Sequence, residues 1–221
     1  MPEANVLQLM PEASVPGYAD AVTQGPRRGL LWTQLRESTR DAHAQAEASL
    51  AALAQPDSLA RYVALLCVLW GFQAPLERLL AHQELPSAID WPARQRLGAL
   101  AADLTDLGVT STSLPETAGL PALAGPGAVW GTLYVIEGAT LGGRVLRRHI
   151  QARLGPVPAR FLDGHGDRTQ PMWRDLGRLA DLYVNSEQGR QLARQAATQA
   201  FAAFSAWAAD TGETQLSIHS G

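Results

Sequence analysis

The stretch Leu35-Arg36-Glu37-Ser38-Thr39-Arg40-Asp41-Ala42-His43-Ala44-Gln45-Ala46-Glu47 sets Arg36, Arg40, His43 and Glu47 at steps of four, three and four. That spacing places them on one face of an α-helix. Two cations, an imidazole and a carboxylate are costly to bury unless something satisfies them. The spacing leaves two readings open. Either this is a solvated amphipathic face with incidental charge pairs, or a polar or metallic ligand docks on it. In the second case a metal-ligating His43 needs one ring nitrogen for the metal and the other held by an acceptor, a part open to Glu47 one turn on. Arg36 and Arg40, on the other side of His43, would then meet carboxylates of the ligand.

The helical pattern extends outward from this stretch. Ala and Leu dominate, β-branched residues are sparse, and apolar residues recur at helical spacing, so the chain reads as all-α. With 221 residues, 46% of them hydrophobic, one domain can bury a substantial core. Residues 1–28 hold Pro2, Pro11, Pro16, Gly17, Gly25 and Pro26 and read as a poorly ordered leader, leaving residues 29–221 as the domain. A helix is expected from about Leu30 to Ala54, stopped by Gln55-Pro56. Asp57 or Ser58 then caps a second, reaching about Ala81 and kinked at Gly71 and Pro75. Further helices are expected over Trp91 to Leu107, Ala128 to Leu154, Pro171 to Tyr183 and Glu187 to Ala209, with Asp163-Gly164-His165-Gly166-Asp167 as a surface loop.

All 18 basic residues are Arg, and the formal net charge is −3. An acidic balance without a dense basic run argues against a nucleic-acid partner. The single cysteine, Cys67, lies in the apolar run Tyr62 to Trp70 and reads as a buried structural thiol rather than a nucleophile. No disulfide framework is possible, which suits a reducing cytoplasm. That apolar run is too short to span a bilayer, and the N-terminus lacks the order of a secretion signal, so a cytoplasmic protein with no membrane partner is expected.

The expected Ala128 to Leu154 helix carries Gly138, Gly142 and Gly143 within six positions. Each costs about 0.8–1 kcal/mol in a helix interior relative to Ala. Gly138 and Gly142, four apart, expose bare backbone along one stripe, which suits either a closely packed helix or a flat ligand lying on the main chain. His149 falls near the same stripe, where an ordinary surface role is expected.

Together, Leu35 to Glu47 and Glu137-Gly138-Ala139-Thr140-Leu141-Gly142-Gly143-Arg144-Val145-Leu146-Arg147-Arg148 resemble the proximal and distal helices of heme oxygenases, in the family's order. Trp173-Arg174-Asp175-Leu176-Gly177-Arg178 resembles its later helix, and the likeness spans about residues 30 to 210. The resemblance implies an all-α, single-domain heme-oxygenase-like helical bundle with heme sandwiched between a proximal and a distal helix. It implies His43 as proximal iron ligand with Glu47 as its partner, and Arg36, Arg174 and Arg178 near the heme propionates. Gly138, Gly142 and Gly143 become the distal glycines. Phe201 and Phe204 either line the pocket or pack in the core. The family's well-known members carry an Asp where this chain has Ala139, so Thr140, Tyr134 or backbone carbonyls become candidates for organising distal water. This form looks more like a bacterial branch associated with bacteriophytochromes.

The implied activity cleaves heme, both substrate and cofactor, with O2 and electrons from a reductase or ferredoxin. Its products are biliverdin, carbon monoxide and ferrous iron, and a bacteriophytochrome is the implied biliverdin acceptor. The alternatives are a heme carrier of the same fold without turnover and a thiamin-degrading enzyme of related fold, which would need a nucleophile that Cys67 is poorly placed to supply. A ferritin-like di-iron bundle is disfavoured because no Glu-x-x-His pair occurs.

Overall fold

The computed structural model describes residues 29–51 and 53–219, so the expectation for residues 1–28 lies outside the described residues. The elements in order are α1 (Leu30–Ser38), α2 (Arg40–Leu50), α3 (Leu59–Ala81), α4 (Trp91–Arg94), α5 (Leu97–Asp106), α6 (Pro126–Leu154), α7 (Thr169–Tyr183) and α8 (Glu187–His219). Short 3-10 turns lie at Ser111–Ser113 and Gly166–Arg168. No strand occurs among the described residues.

The first expected helix is broken in two. At Thr39 (φ −103°, ψ 4°) the backbone N–H and the side-chain hydroxyl both donate to the Leu35 carbonyl, at 2.9 and 2.7 Å. A hydroxyl bonding back to a carbonyl four residues earlier opens and bends a helix. Arg36 therefore stands on α1, before the break, while Arg40, His43 and Glu47 stand on α2. The helix also ends at Leu50 rather than Ala54. The start of α1 is held by Asp181 of α7, whose carboxylate accepts from the Leu30 and Leu31 amides at 3.0 and 2.9 Å.

Ser58 caps α3 through the Arg61 amide, and the helix runs through Pro75 without interruption. At 23 residues it is long and apolar enough to cross a membrane, so the sequence argument from the short Tyr62 to Trp70 run does not hold. Its placement supplies a different argument: 72% of its most apolar window is buried inside the protein, as in a core helix. The expected third helix is also split, into α4 and α5. Glu77 of α3 accepts from the Arg96 and Leu97 amides at 2.8 and 3.1 Å and so caps α5 from a distant part of the chain.

Helix α8 runs past Ala209 to His219 and packs against α2, α3 and α6. Its contact with α6 is backbone on backbone. A β-carbon at Gly127 or Gly131 would overlap the carbonyl oxygen of Gly189 or Ala193. The core falls into two clusters, one around Leu31, Leu35, Leu76, Trp130, Leu133 and Leu176, the other around Tyr62, Leu65, Leu66, Leu100 and Phe161. Phe204 and Trp207 of α8 pack against both.

Candidate functional site

On α2 the His43 side chain is 48% exposed and turns Nδ1 toward Glu47 Oε1 at 3.7 Å. The ring meets Phe201 of α8 edge to face, with centroids 5.3 Å apart. Arg36 is half-buried and Arg40 exposed. Nδ1 is thus the nitrogen given to the carboxylate, which makes Nε2 the one suited to a metal.

On α6, Tyr134, Gly138, Leu141, Gly142 and Val145 form a half-buried stripe, while Val135, Ile136, Glu137, Thr140 and Gly143 beside it are buried. The glycines divide by role. A β-carbon on Gly143 would press on the Leu162 carbonyl oxygen at 2.6 Å, so this glycine faces protein backbone, apart from the stripe that Gly138 and Gly142 share. A β-carbon on Gly138 would make only ordinary contact, 3.6 Å from Cη2 of Trp173. That tryptophan belongs to an aromatic group, Trp32, Tyr134 and Trp173, with ring centroids 5.3 to 5.5 Å apart. The sequence reading missed Trp32 and Trp173. The signal available was Gly177, four residues after Trp173, where a β-carbon would crowd Trp32 at 3.1 Å.

Other expected site residues are more scattered. Phe204 packs edge to face on Phe72 of α3, centroids 5.0 Å apart, at the junction of the two core clusters. Thr140 is buried, and its hydroxyl donates to the Glu137 carbonyl at 2.6 Å. Arg174 and Arg178 are exposed one turn apart on α7, and Arg178 pairs with Asp175. Ala139 is exposed.

Two expectations of surface placement fail. The loop from Asp163 to Asp167 turns inward at His165, whose side chain is 4% exposed, because Gly164 and Gly166 adopt φ of +62° and +59°. His149 is half-buried with Nε2 enclosed and lacking a hydrogen-bond partner. Burial, reinforced by nearby Arg153, lowers its pKa from the ordinary value.

Helices α2 and α6 both pack on α8, which therefore fixes the spacing of the two faces. The heme oxygenase family profile matches residues 30–210. The chain belongs to the heme oxygenase family. It is an enzyme of that family, and the match takes in both the His43 face and the glycine stripe. A heme oxygenase from Xanthomonas campestris pv. campestris (strain 8004) is 35% identical over 116 residues, covering 52% of this chain and 67% of that protein. Two solved structures share the fold. The NO- and CO-bound heme oxygenase from Neisseria meningitidis superposes with a TM-score of 0.70 at 24% identity, covering 83% of this chain and 92% of that one. Heme oxygenase-1 from Synechocystis sp. PCC6803 in complex with heme superposes with a TM-score of 0.69 at 19% identity, covering 85% and 95%.

Proposed function

We propose that this heme oxygenase binds heme between α2 and α6 and cleaves it, with O2 and reducing equivalents, to biliverdin, carbon monoxide and ferrous iron. The observation that carries the reading is Gly138. A glycine there costs about 1 kcal/mol of helix stability, and no close packing inside the protein requires it, since a β-carbon would meet only Trp173 at 3.6 Å. A flat ligand lying on the helix backbone gives the glycine a purpose.

The residues present fit heme. His43, with Nδ1 toward Glu47, would hold the heme iron, with the carboxylate fixing the orientation of the ring. Arg36, Arg174 and Arg178 serve the two propionates, the last after exchanging Asp175 for the ligand. Phe201 holds the His43 ring edge to face and lines the pocket, while Phe204 packs on Phe72 between the two core clusters. Gly138 and Gly142 let the α6 backbone approach the macrocycle, Gly143 keeps α6 against the Leu162 backbone, and Tyr134 and Thr140 flank the approach. When bound, heme supplies both the iron at which oxygen is activated and the porphyrin that is oxidised. The chain orients the macrocycle so that one edge is presented, and α6 shields it from solvent. Residues 29–221 act as one cytoplasmic domain, taking electrons from a reductase or ferredoxin and passing biliverdin to a bacteriophytochrome.

Titrating hemin into the wild type and His43→Ala tests the binding. The wild type should develop a sharp Soret band, and the variant should lose it or shift it with weakened affinity. An identical band and affinity in the variant would remove His43 from the iron. Heme that stays intact through repeated reduction in air would overturn the cleavage.

A further inference from the structure

A line of aromatic rings leads from the glycine stripe to the surface, and the reading above does not use it. Trp173 of α7, which lies against Gly138, packs with Trp32 of α1 and Tyr134 of α6, the three ring centroids standing 5.3 to 5.5 Å apart. One turn back along α6 from Tyr134 is Trp130, which is 1% exposed. Side chains four apart on a helix are neighbours, with β-carbons about 5–6 Å apart. Trp130 in turn stacks on Tyr183, the last residue of α7, with centroids 5.8 Å apart and ring planes 18° from parallel. Tyr183 is 47% exposed.

The line follows the seam between two helices. Gly138 and Trp130 of α6 meet Trp173 and Tyr183 of α7, so the two helices run antiparallel and the rings cross between them. Core packing accounts for tilted and edge-on aromatic pairs, but not for the two ends of this line. At the inner end the rings begin beside a glycine that no close packing inside the protein requires. At the outer end an exposed tyrosine lies flat on a buried indole. Between them, Trp32 is 6% exposed, and its Nε1 is enclosed with no protein acceptor, although a buried indole N–H usually finds one.

Indole and phenol rings give up single electrons to strong oxidants, and rings packed this closely pass such electrons on in short steps. An oxidised Trp32 has no protein acceptor for its N–H proton. The charge is therefore not trapped there and is refilled from the next ring. Tyr183 stands at the water's edge, where its phenol can lose an electron and release its proton to solvent together. An oxidising charge that enters at Trp173 therefore comes to rest at Tyr183.

We propose that Trp173, Trp32, Tyr134, Trp130 and Tyr183 form an electron path through which hydrogen peroxide that reacts in the ligand slot is reduced at the expense of a donor at the surface. The inference rests on the heme reading. Breaking the O–O bond of one peroxide to give two waters takes two electrons and two protons. The electrons leave Tyr183 one at a time, each with its phenolic proton passing to solvent. After each departure a soluble one-electron donor, such as a small phenol, returns an electron and a proton to the phenoxyl radical. Without that donor, the radicals of two copies couple ring carbon to ring carbon, and the coupled pair accounts for the two electrons and two protons of one peroxide.

The test treats the full chain, loaded with hemin and without added donor, with hydrogen peroxide, and reads dityrosine fluorescence and the cross-linked peptides by mass spectrometry. The wild type should form a Tyr183 to Tyr183 cross-link, and the hemin-free protein should not. Tyr183→Phe should lose the cross-link. Trp130→Phe should lose it too, although Tyr183 is still present, and both variants should show the wild-type hemin spectrum. A hemin-loaded wild type that forms no cross-link, or forms it only at Tyr18, would overturn the proposal while leaving the heme reading intact. So would a cross-link that is as strong without hemin or in Trp130→Phe. A wild type that takes up no hemin would overturn both. Should Trp130→Phe not fold, wild type grown with fluorotryptophan decides. Its electron-poorer indoles should slow the cross-linking, and an unchanged rate would overturn the path.

Discussion

Trp173 of α7 lies against Gly138 of α6 at a distance that leaves room for a methyl group, with Cη2 3.6 Å from where a β-carbon would stand. The other glycines of α6 that face protein backbone leave no such room. Gly127 and Gly131 seat α6 on the α8 backbone, and Gly143 seats it on Leu162. One helix thus uses some glycines to meet other parts of the chain, while Gly138 has no such internal use.

Substitution separates these roles. Gly138→Ala should leave the heme-free protein as stable as the wild type or raise its stability by up to about 1 kcal/mol, and should weaken heme affinity. Gly131→Ala, forced against the Ala193 carbonyl, should cost at least about 1–3 kcal/mol. Thermal melts with and without heme measure both. A heme-free Gly138→Ala protein as unstable as Gly131→Ala would show that Gly138 is needed for packing.

Glu77→Ala should be among the more destabilising single changes in α3. It strips the Arg96 and Leu97 amides of their acceptor, at about 1–3 kcal/mol for each buried donor left unsatisfied. Urea midpoints of wild type and variant give the comparison, and a difference near zero would mean that another acceptor replaces the carboxylate.

Cys67 is 2% exposed, and burial pushes its thiol pKa up to about 12. In the folded protein at neutral pH it should resist iodoacetamide and become alkylated only as the chain unfolds. Labelling measured across a urea series should track the unfolding curve. Rapid labelling without urea would contradict the buried placement.

For His149, burial and then Arg153 lower the folded-state pKa below the ordinary 6.5. As pH falls, the unfolded chain takes up the proton first, so the stability linked to neutral His149 is complete above pH 6.5 and is lost as pH drops through the lowered folded value. His149→Gln should flatten part of that acid-side decline in the urea midpoint. An identical decline in the variant would assign the loss to other groups.

The local parts of this protein were legible in the sequence. The His43 and Glu47 pairing follows from i,i+4 spacing, the helix end at Gly155 follows from backbone chemistry, and the heme oxygenase resemblance was carried by two contiguous motifs. The break at Thr39 left a weaker signal, a threonine whose hydroxyl finds the carbonyl four residues back, which is equally compatible with a continuous helix. The break before α5 left almost none, because its cap is Glu77, on another helix.

By itself the sequence determined what periodicity and short motifs encode: an all-α chain, its approximate helices, and the residue types on the faces of α2 and α6. Only the tertiary structure decided which glycines meet backbone and which meet an indole, that Trp32 and Trp173 stand beside Gly138, and that His165 turns inward to Glu137 and Arg94. Those contacts join residues far apart in the chain, and their energies depend on burial and on the facing atoms, which helical spacing alone does not specify.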